Sequence, residues 1–295
     1  MSANNIYVAL ETLALDGILV YCADGQIRRC FPVLSNIIAD YEEQALITGI
    51  KSGRHCPICQ VHPDERQDLS KRWAVRTHKQ MKDQVRKQQQ GKVSRKDSQW
   101  VHETDNFAWN HHYVNIYESM SVDILHQLHK GVVQNLIDWI KELVGNVIPG
   151  IPKKKKTKQA LKDSPGGIQL DAQFRAVPHY TGLKHFGHFS HVQQWTGDEQ
   201  KAVLRILFPV VTPLLLQKAP DTLAYARAIA DFVTIVQYRS HDEETVRYLK
   251  HAINIINLTK GVFSKQRETK NKKKEPHWNY PKFHSISHYP DFIRR

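Results

Sequence analysis

The stretch from Cys30 to Cys59 restricts this chain more than any other. A mostly apolar run, Val33 to Ala39, suits a buried strand and ends at Asp40. Tyr41 to Ile50 reads as a helix stopped near Gly53, and Cys56-Pro57-Ile58-Cys59 follows it. Asp40 has two readings: a carboxylate that holds a divalent cation, or an ordinary helix N-cap. Cys56 and Cys59 can approach one zinc ion from a tight turn, which is half of a four-ligand site. The competing reading is a surface knuckle with idle thiols. His55, His62 and His78 are close enough in sequence to complete the set, and more distant histidines are also available.

Bulk composition narrows the partners. The chain has 295 residues, 42 Lys and Arg against 29 Asp and Glu, 17 His and a net charge of +13. That excess favours a polyanion, most simply nucleic acid, through phosphate neutralisation and counterion release. Hydrophobic residues make up 41%, enough for at least one core. Four cysteines, two of them close together, point to a reducing compartment and metal rather than a disulfide framework. The amino terminus lacks a basic n-region, and no apolar run approaches the ~18 residues of a membrane span. The expectation is an intracellular, non-secreted protein, nuclear or cytoplasmic, with no membrane partner.

Along the chain, residues 1–53 read as a β-hairpin, a strand and a helix. Ile18 to Cys22 and Gln26 to Phe31 flank Ala23-Asp24-Gly25, and Asp-Gly is a tight-turn signal. Residues 54–106 hold the cysteine knuckle and then a polar, basic linker, with a helix expected at the start of the stretch from Ser70. Residues 107–295 read as helical. Ser121 is the expected N-cap of a helix in which Val122, Leu125, Leu128, Val132, Leu136, Ile140 and Leu143 recur at helical spacing. Asp198 is expected to cap a helix that Pro209 and Pro213 kink or end. A further helix runs roughly from Asp221 to Tyr238, and Ser240 with Glu243 reads as a capping box for another. Basic loops lie at 153–162 and 265–274, serving as DNA grip, nuclear address or solvated linker.

Other groups carry two readings each. Asp123 and His126 share a helix face and can bind metal or brace each other; equally, Asp123 is a first-turn acid and His126 a satisfied polar group. Cys22 and Cys30 flank the hairpin turn and read as packing residues. Trp100, Trp109, Trp139, Trp195 and Trp278 are scattered, which favours core packing over base stacking. A metal hydrolase built on Asp123, His126 and neighbouring histidines lacks a complete ligand set.

Several longer strings bear a family resemblance. They include Arg28-Arg29-Cys30-Phe31-Pro32, Ala39-Asp40-Tyr41-Glu42-Glu43-Gln44 and His55-Cys56-Pro57-Ile58-Cys59. With them go Trp109-Asn110-His111, Val122-Asp123-Ile124-Leu125-His126-Gln127-Leu128-His129-Lys130-Gly131, Val192-Gln193-Gln194-Trp195-Thr196-Gly197-Asp198, Pro281-Lys282-Phe283-His284 and Ser287-His288-Tyr289. The chain resembles fungal Plavaka-type transposases of the Kyakuja-Dileera-Zisupton group, related to CACTA elements. The resemblance implies a mainly α fold with a small β part: a truncated ribonuclease-H-like core interrupted by a long helical insertion. It implies an Asp-Asp-Glu site with two magnesium ions, of which Asp40 is the second acid, at a strand end where such cores keep one. Cys56 and Cys59 match the family's cysteine pair, with zinc as a structural ion, and Asp123 with His126 match its Asp-x-x-His element. The family's first acid is expected upstream of the hairpin and its glutamate beyond Ser287-His288-Tyr289, so a central, catalytically inactive fragment is the expectation. A domesticated zinc-containing DNA- or protein-binding module is the alternative.

Overall fold

A computed structural model describes residues 3–94, 98, 106–111, 113–147, 164–265 and 278–294. The basic run at 153–162, nearly all of the one at 265–274, and Trp100 lie outside the described residues. The chain divides into two compact units: Met1–Glu65 with Arg72–Asp123, and Arg66–Lys71 with Ile124–Arg295. The described residues as a whole are mostly helical, with a small two-stranded sheet in the first unit. No helix among the described residues is long and apolar enough to cross a membrane.

The first unit opens with helix α1 (Ala3–Asp16) and the expected hairpin, strands β1 (Ile18–Tyr21) and β2 (Ile27–Cys30). Ile18 pairs with Cys30 and Tyr21 with Ile27, and Gly25 in the turn has a φ of 79°. That left-handed value is what the Asp-Gly signal anticipates. The hairpin buries little: Leu19, Tyr21 and Ile27 are all more than half exposed, and Cys22 and Cys30 are half-buried.

The strand expected over Val33 to Ala39 contracts to an isolated parallel bridge between Ile37 and Met120. Ile37 N–H donates to the Ser119 carbonyl at 2.7 Å, and Ser121 N–H donates to the Ile37 carbonyl at 2.9 Å. Gln44, fully buried in helix α2 (Tyr41–Thr48), locks this crossing by donating to the carbonyls of Ala39 and Ser121. Ser121 is therefore committed to backbone pairing and does not cap the following helix. Its neighbourhood closes a core of Ile50, Ile58, Val61, Met81, Val85, Trp109, Ile116, Tyr117 and Met120, with both Cys56 and Cys59 inside it. The helix expected from Ser70 starts later, as α3 (His78–Gln89), where Thr77 and Gln80 form a reciprocal capping box.

The second unit begins with ten residues of π-helix, Ile124–Val133, which continue into helix α4 (Gln134–Val147). Apolar spacing predicts a regular α-helix here. Instead residues 127–129 and 131–133 are all buried, a face wider than an α-helical stripe. Gly131 is required by close approach: a Cβ there would lie 2.8 Å from the Lys282 side chain and 3.0 Å from the His126 carbonyl.

Helices α5 (Pro165–Arg175), α6 (Gly197–Leu215), α7 (Pro220–Ile235) and α8 (Glu243–Thr259) follow, with α7 packed on both α6 and α8. Helix α6 does not end at Pro209 or Pro213 but continues past both to Leu215. Each proline removes a bond to the carbonyl four residues earlier. Arg205, Pro209 and Pro213 all lie on the exposed face, so water can take the freed carbonyls. The caps also differ from expectation. Thr196 with Glu199 caps α6, and Asp242 with Thr245 caps α8 in place of Ser240 with Glu243. Asp is as good an N-cap as Ser, and the Thr245 hydroxyl accepts from the Asp242 N–H.

Two aromatic clusters hold this unit together. Trp278 meets Trp139 at 4.7 Å and Phe283 at 4.9 Å, while Phe174 stacks on Phe189 at 3.8 Å with Trp195 beside them. The scattered tryptophans thus serve packing. His129, in the π-helical segment, is fully buried. Burial, aided by the Lys201 charge, lowers its pKa from the ordinary value, with Gln237 and Asp198 offsetting part of the shift. A base whose folded pKa is depressed contributes stability that is present above its unfolded pKa of 6.5 and is lost as pH falls through the folded value. His129→Met should therefore remove up to about one proton from the uptake on unfolding between pH 6.5 and 5. Urea titrations across that range read this as a shallower fall of stability with acid.

Candidate metal centre

The knuckle is positioned by the end of α2. Gly49 leaves that helix with a φ of 71° and Gly53 turns the chain again at 76°. The Tyr41 hydroxyl, buried in α2, donates to the His55 carbonyl at 2.9 Å and fixes the approach. Pro57 then tightens the turn, and the Ile58 N–H points at the Cys56 sulfur, 3.4 Å away. A backbone donor aimed at a cysteine sulfur stabilises a thiolate and turns both sulfurs of a Cys-x-x-Cys toward one point.

A short antiparallel crossing with residues 74–76 braces the turn from behind. Cys59 bridges Val75, Gln60 N–H donates to the Ala74 carbonyl, and Arg76 N–H donates to the Ile58 carbonyl. Arg76 is 1% exposed, and its Nε donates to the Cys56 carbonyl at 2.8 Å. Burial pulls the guanidinium below its ordinary value, and the charges of Cys56 and Cys59 pull it back. A buried guanidinium stays charged and calls for negative charge nearby. Thiolates on a metal ion would supply it.

Cys56 and Cys59 are both buried. A hydrogen bond with Cys56, and burial after it, hold the Cys59 thiol well above its ordinary value. A divalent cation inverts that preference, because the ligand is the thiolate. The histidines near in sequence are otherwise engaged. His78 Nε2 accepts from the Ile116 N–H at 3.2 Å and its ring meets Tyr117 edge-on. His62 is exposed and its Nδ1 accepts from the Asp64 N–H.

In the first unit, Cys56 and Cys59 offer two sulfurs, half of the four ligands that a structural zinc ion takes. In the second unit, His284 is 1% exposed, and its ring meets that of His288 edge-on at 5.0 Å. The second unit also holds a set of side chains that could bind a metal ion, Asp171, His188 and His191.

The remaining predicted site residues are in no metal-ligand set found among the described residues. Asp40 is half-buried and caps α2, its Oδ1 accepting from the Glu43 N–H at 2.9 Å. Asp123 is buried just before the π-helical segment, and His126 is half-buried within that segment.

No curated protein matches the chain. Residues 1–140 match the family described as Plavaka transposase. The matched region carries the hairpin, Asp40, the Cys56–Cys59 knuckle, the buried Arg76 and the Asp123–His126 pair.

Proposed function

We propose that the chain is part of a DDE-type cut-and-paste DNA transposase: a ribonuclease-H-like portion (1–53), the knuckle and basic linker (54–106), and a helical insertion (107–295). The match to the Plavaka transposase family over residues 1–140 carries this reading. The hairpin supports it, since a two-stranded sheet with exposed apolar faces is marginal alone and suits a larger sheet. Zinc is the ion proposed for Cys56 and Cys59, where it stiffens the knuckle, and Asp123 with His126 support the fold or a metal nearby.

Asp40 is the proposed catalytic acid. In such enzymes magnesium ions activate the attacking hydroxyl and stabilise the leaving oxygen. Asp40 would hold one, with the cap bond from Glu43 orienting its carboxylate. It is the single acid of the triad that the resemblance places among these residues, and a lone carboxylate does not build a two-metal site. The chain by itself is therefore proposed to bind DNA, in the nucleus or cytoplasm, without cutting it.

Gel-shift and nicking assays on the purified chain test both parts. Duplex DNA of unrelated sequences should bind alike, and affinity should fall at least about tenfold between 50 and 200 mM salt. Absence of binding at low salt contradicts the DNA reading. Magnesium- or manganese-dependent nicking that disappears in Asp40→Ala contradicts the inactive one.

A further inference from the structure

The set of Asp171, His188 and His191 lies wholly within the second unit and includes none of the residues used in the proposed function. Four histidines, His179, His185, His188 and His191, occur in the fifteen residues that follow α5 and its C-cap. Two of them face Asp171, on α5. The three donor atoms of Asp171, His188 and His191 lie within 4.8 Å of one another. His191 Nε2 is 4.0 Å from the Asp171 carboxylate, and the rings of His188 and His191 are 5.3 Å apart. Metal–ligand bonds of about 2.0–2.2 Å on each side span gaps of this size after small ring movements.

The carboxylate is built into the fold rather than left on the surface. Asp171 is 4% exposed, and Ser190 fixes both of its oxygens: the backbone N–H donates to Oδ1 at 2.7 Å and the hydroxyl to Oδ2 at 2.9 Å. Outer-shell bonds of this kind orient a ligating carboxylate. The Phe174–Phe189 stack, with planes 11° apart, clamps the helix that carries Asp171 to the turn that carries Ser190 and His191. Both imidazoles are exposed and free to rotate onto an ion.

We propose that Asp171, His188 and His191 form a second metal site, open and reversible, for a divalent transition ion of the zinc class. Two imidazoles with one carboxylate select zinc, nickel or copper over magnesium or calcium. Three protein ligands leave a coordination position for water or an outside ligand, unlike a closed four-ligand structural site. The site ties the histidine-rich turn to α5, so its loading stabilises this part of the chain by mass action.

Zinc titration of the full-length chain by calorimetry, with metal counted by mass spectrometry, tests the proposal. Wild type should bind two equivalents. His191→Ala should weaken the looser one at least about tenfold, and His188→Ala with His191→Ala should abolish it. The exposed control His251→Ala should leave both. Cys59→Ser should remove the tighter equivalent alone, which separates the two sites. A single equivalent in wild type, or a looser equivalent that survives the double substitution, overturns the proposal.

Discussion

Cys59→Ser should release zinc from the chain and lower its unfolding midpoint to that of the chelator-treated wild type. Cys59 is fully buried, and its neighbours in the core are Cys56, Ile58, Val61 and Met81. Serine keeps the shape but supplies no thiolate, so one of the knuckle's two sulfur ligands is lost and the ion's binding energy goes with it. That energy is large, about 10–16 kcal/mol in isolated zinc-binding peptides at neutral pH, and binding energy confined to the folded state is folding energy. Arg76 makes the loss worse, because a guanidinium 1% exposed then faces a hydroxyl instead of negative charge. Metal analysis and thermal melts with and without chelator read both effects. Cys22→Ser is the control, since Cys22 is half-buried beside an exposed hairpin and should change neither quantity.

Phe174→Ala should produce the next largest effect. Its ring is fully buried, stacked on Phe189 and edge-on to Phe186. Alanine leaves a cavity that these rigid rings cannot close, which costs about 3–5 kcal/mol. For a unit of this size that corresponds to a midpoint lowered by roughly 6–20 °C. The same substitution loosens the helix carrying Asp171 from the turn carrying Ser190, so second-site zinc affinity should fall with it. A midpoint within a degree or two of wild type would mean that the cluster is not packed as described.

Local signals foretold the structure where they were self-sufficient. Asp24-Gly25 specified its hairpin, and Thr77 with Gln80 could be read as a cap. Helix α8 ends up capped two residues from its predicted start because Ser-x-x-Glu and Asp-x-x-Thr are equally sound boxes, and only tertiary context chooses. The π-helical turns around His129 were not legible, because periodicity assumes the α-helical pitch that a wide buried face overrides. Pro209 and Pro213 misled for a related reason: a proline breaks a helix when its freed carbonyl is buried, and here both face solvent.

The candidate site was half legible. Cys56 and Cys59 announce themselves by spacing, whereas no local signal marks the residues that would complete their set. Seventeen histidines dilute any such signal. Asp171 is harder still, since a lone helical aspartate gains meaning only when Ser190 and two imidazoles fold beside it. Asp40 remains the reverse case: the resemblance names its role, while its visible work is to cap α2.

X-ray absorption at the zinc edge of the purified chain, loaded with one equivalent, tests the central claim most directly. Two sulfurs at about 2.3 Å are predicted in the shell, with the sulfur contribution lost in Cys59→Ser. A shell of nitrogen and oxygen alone, or a chain that retains no zinc, would contradict it.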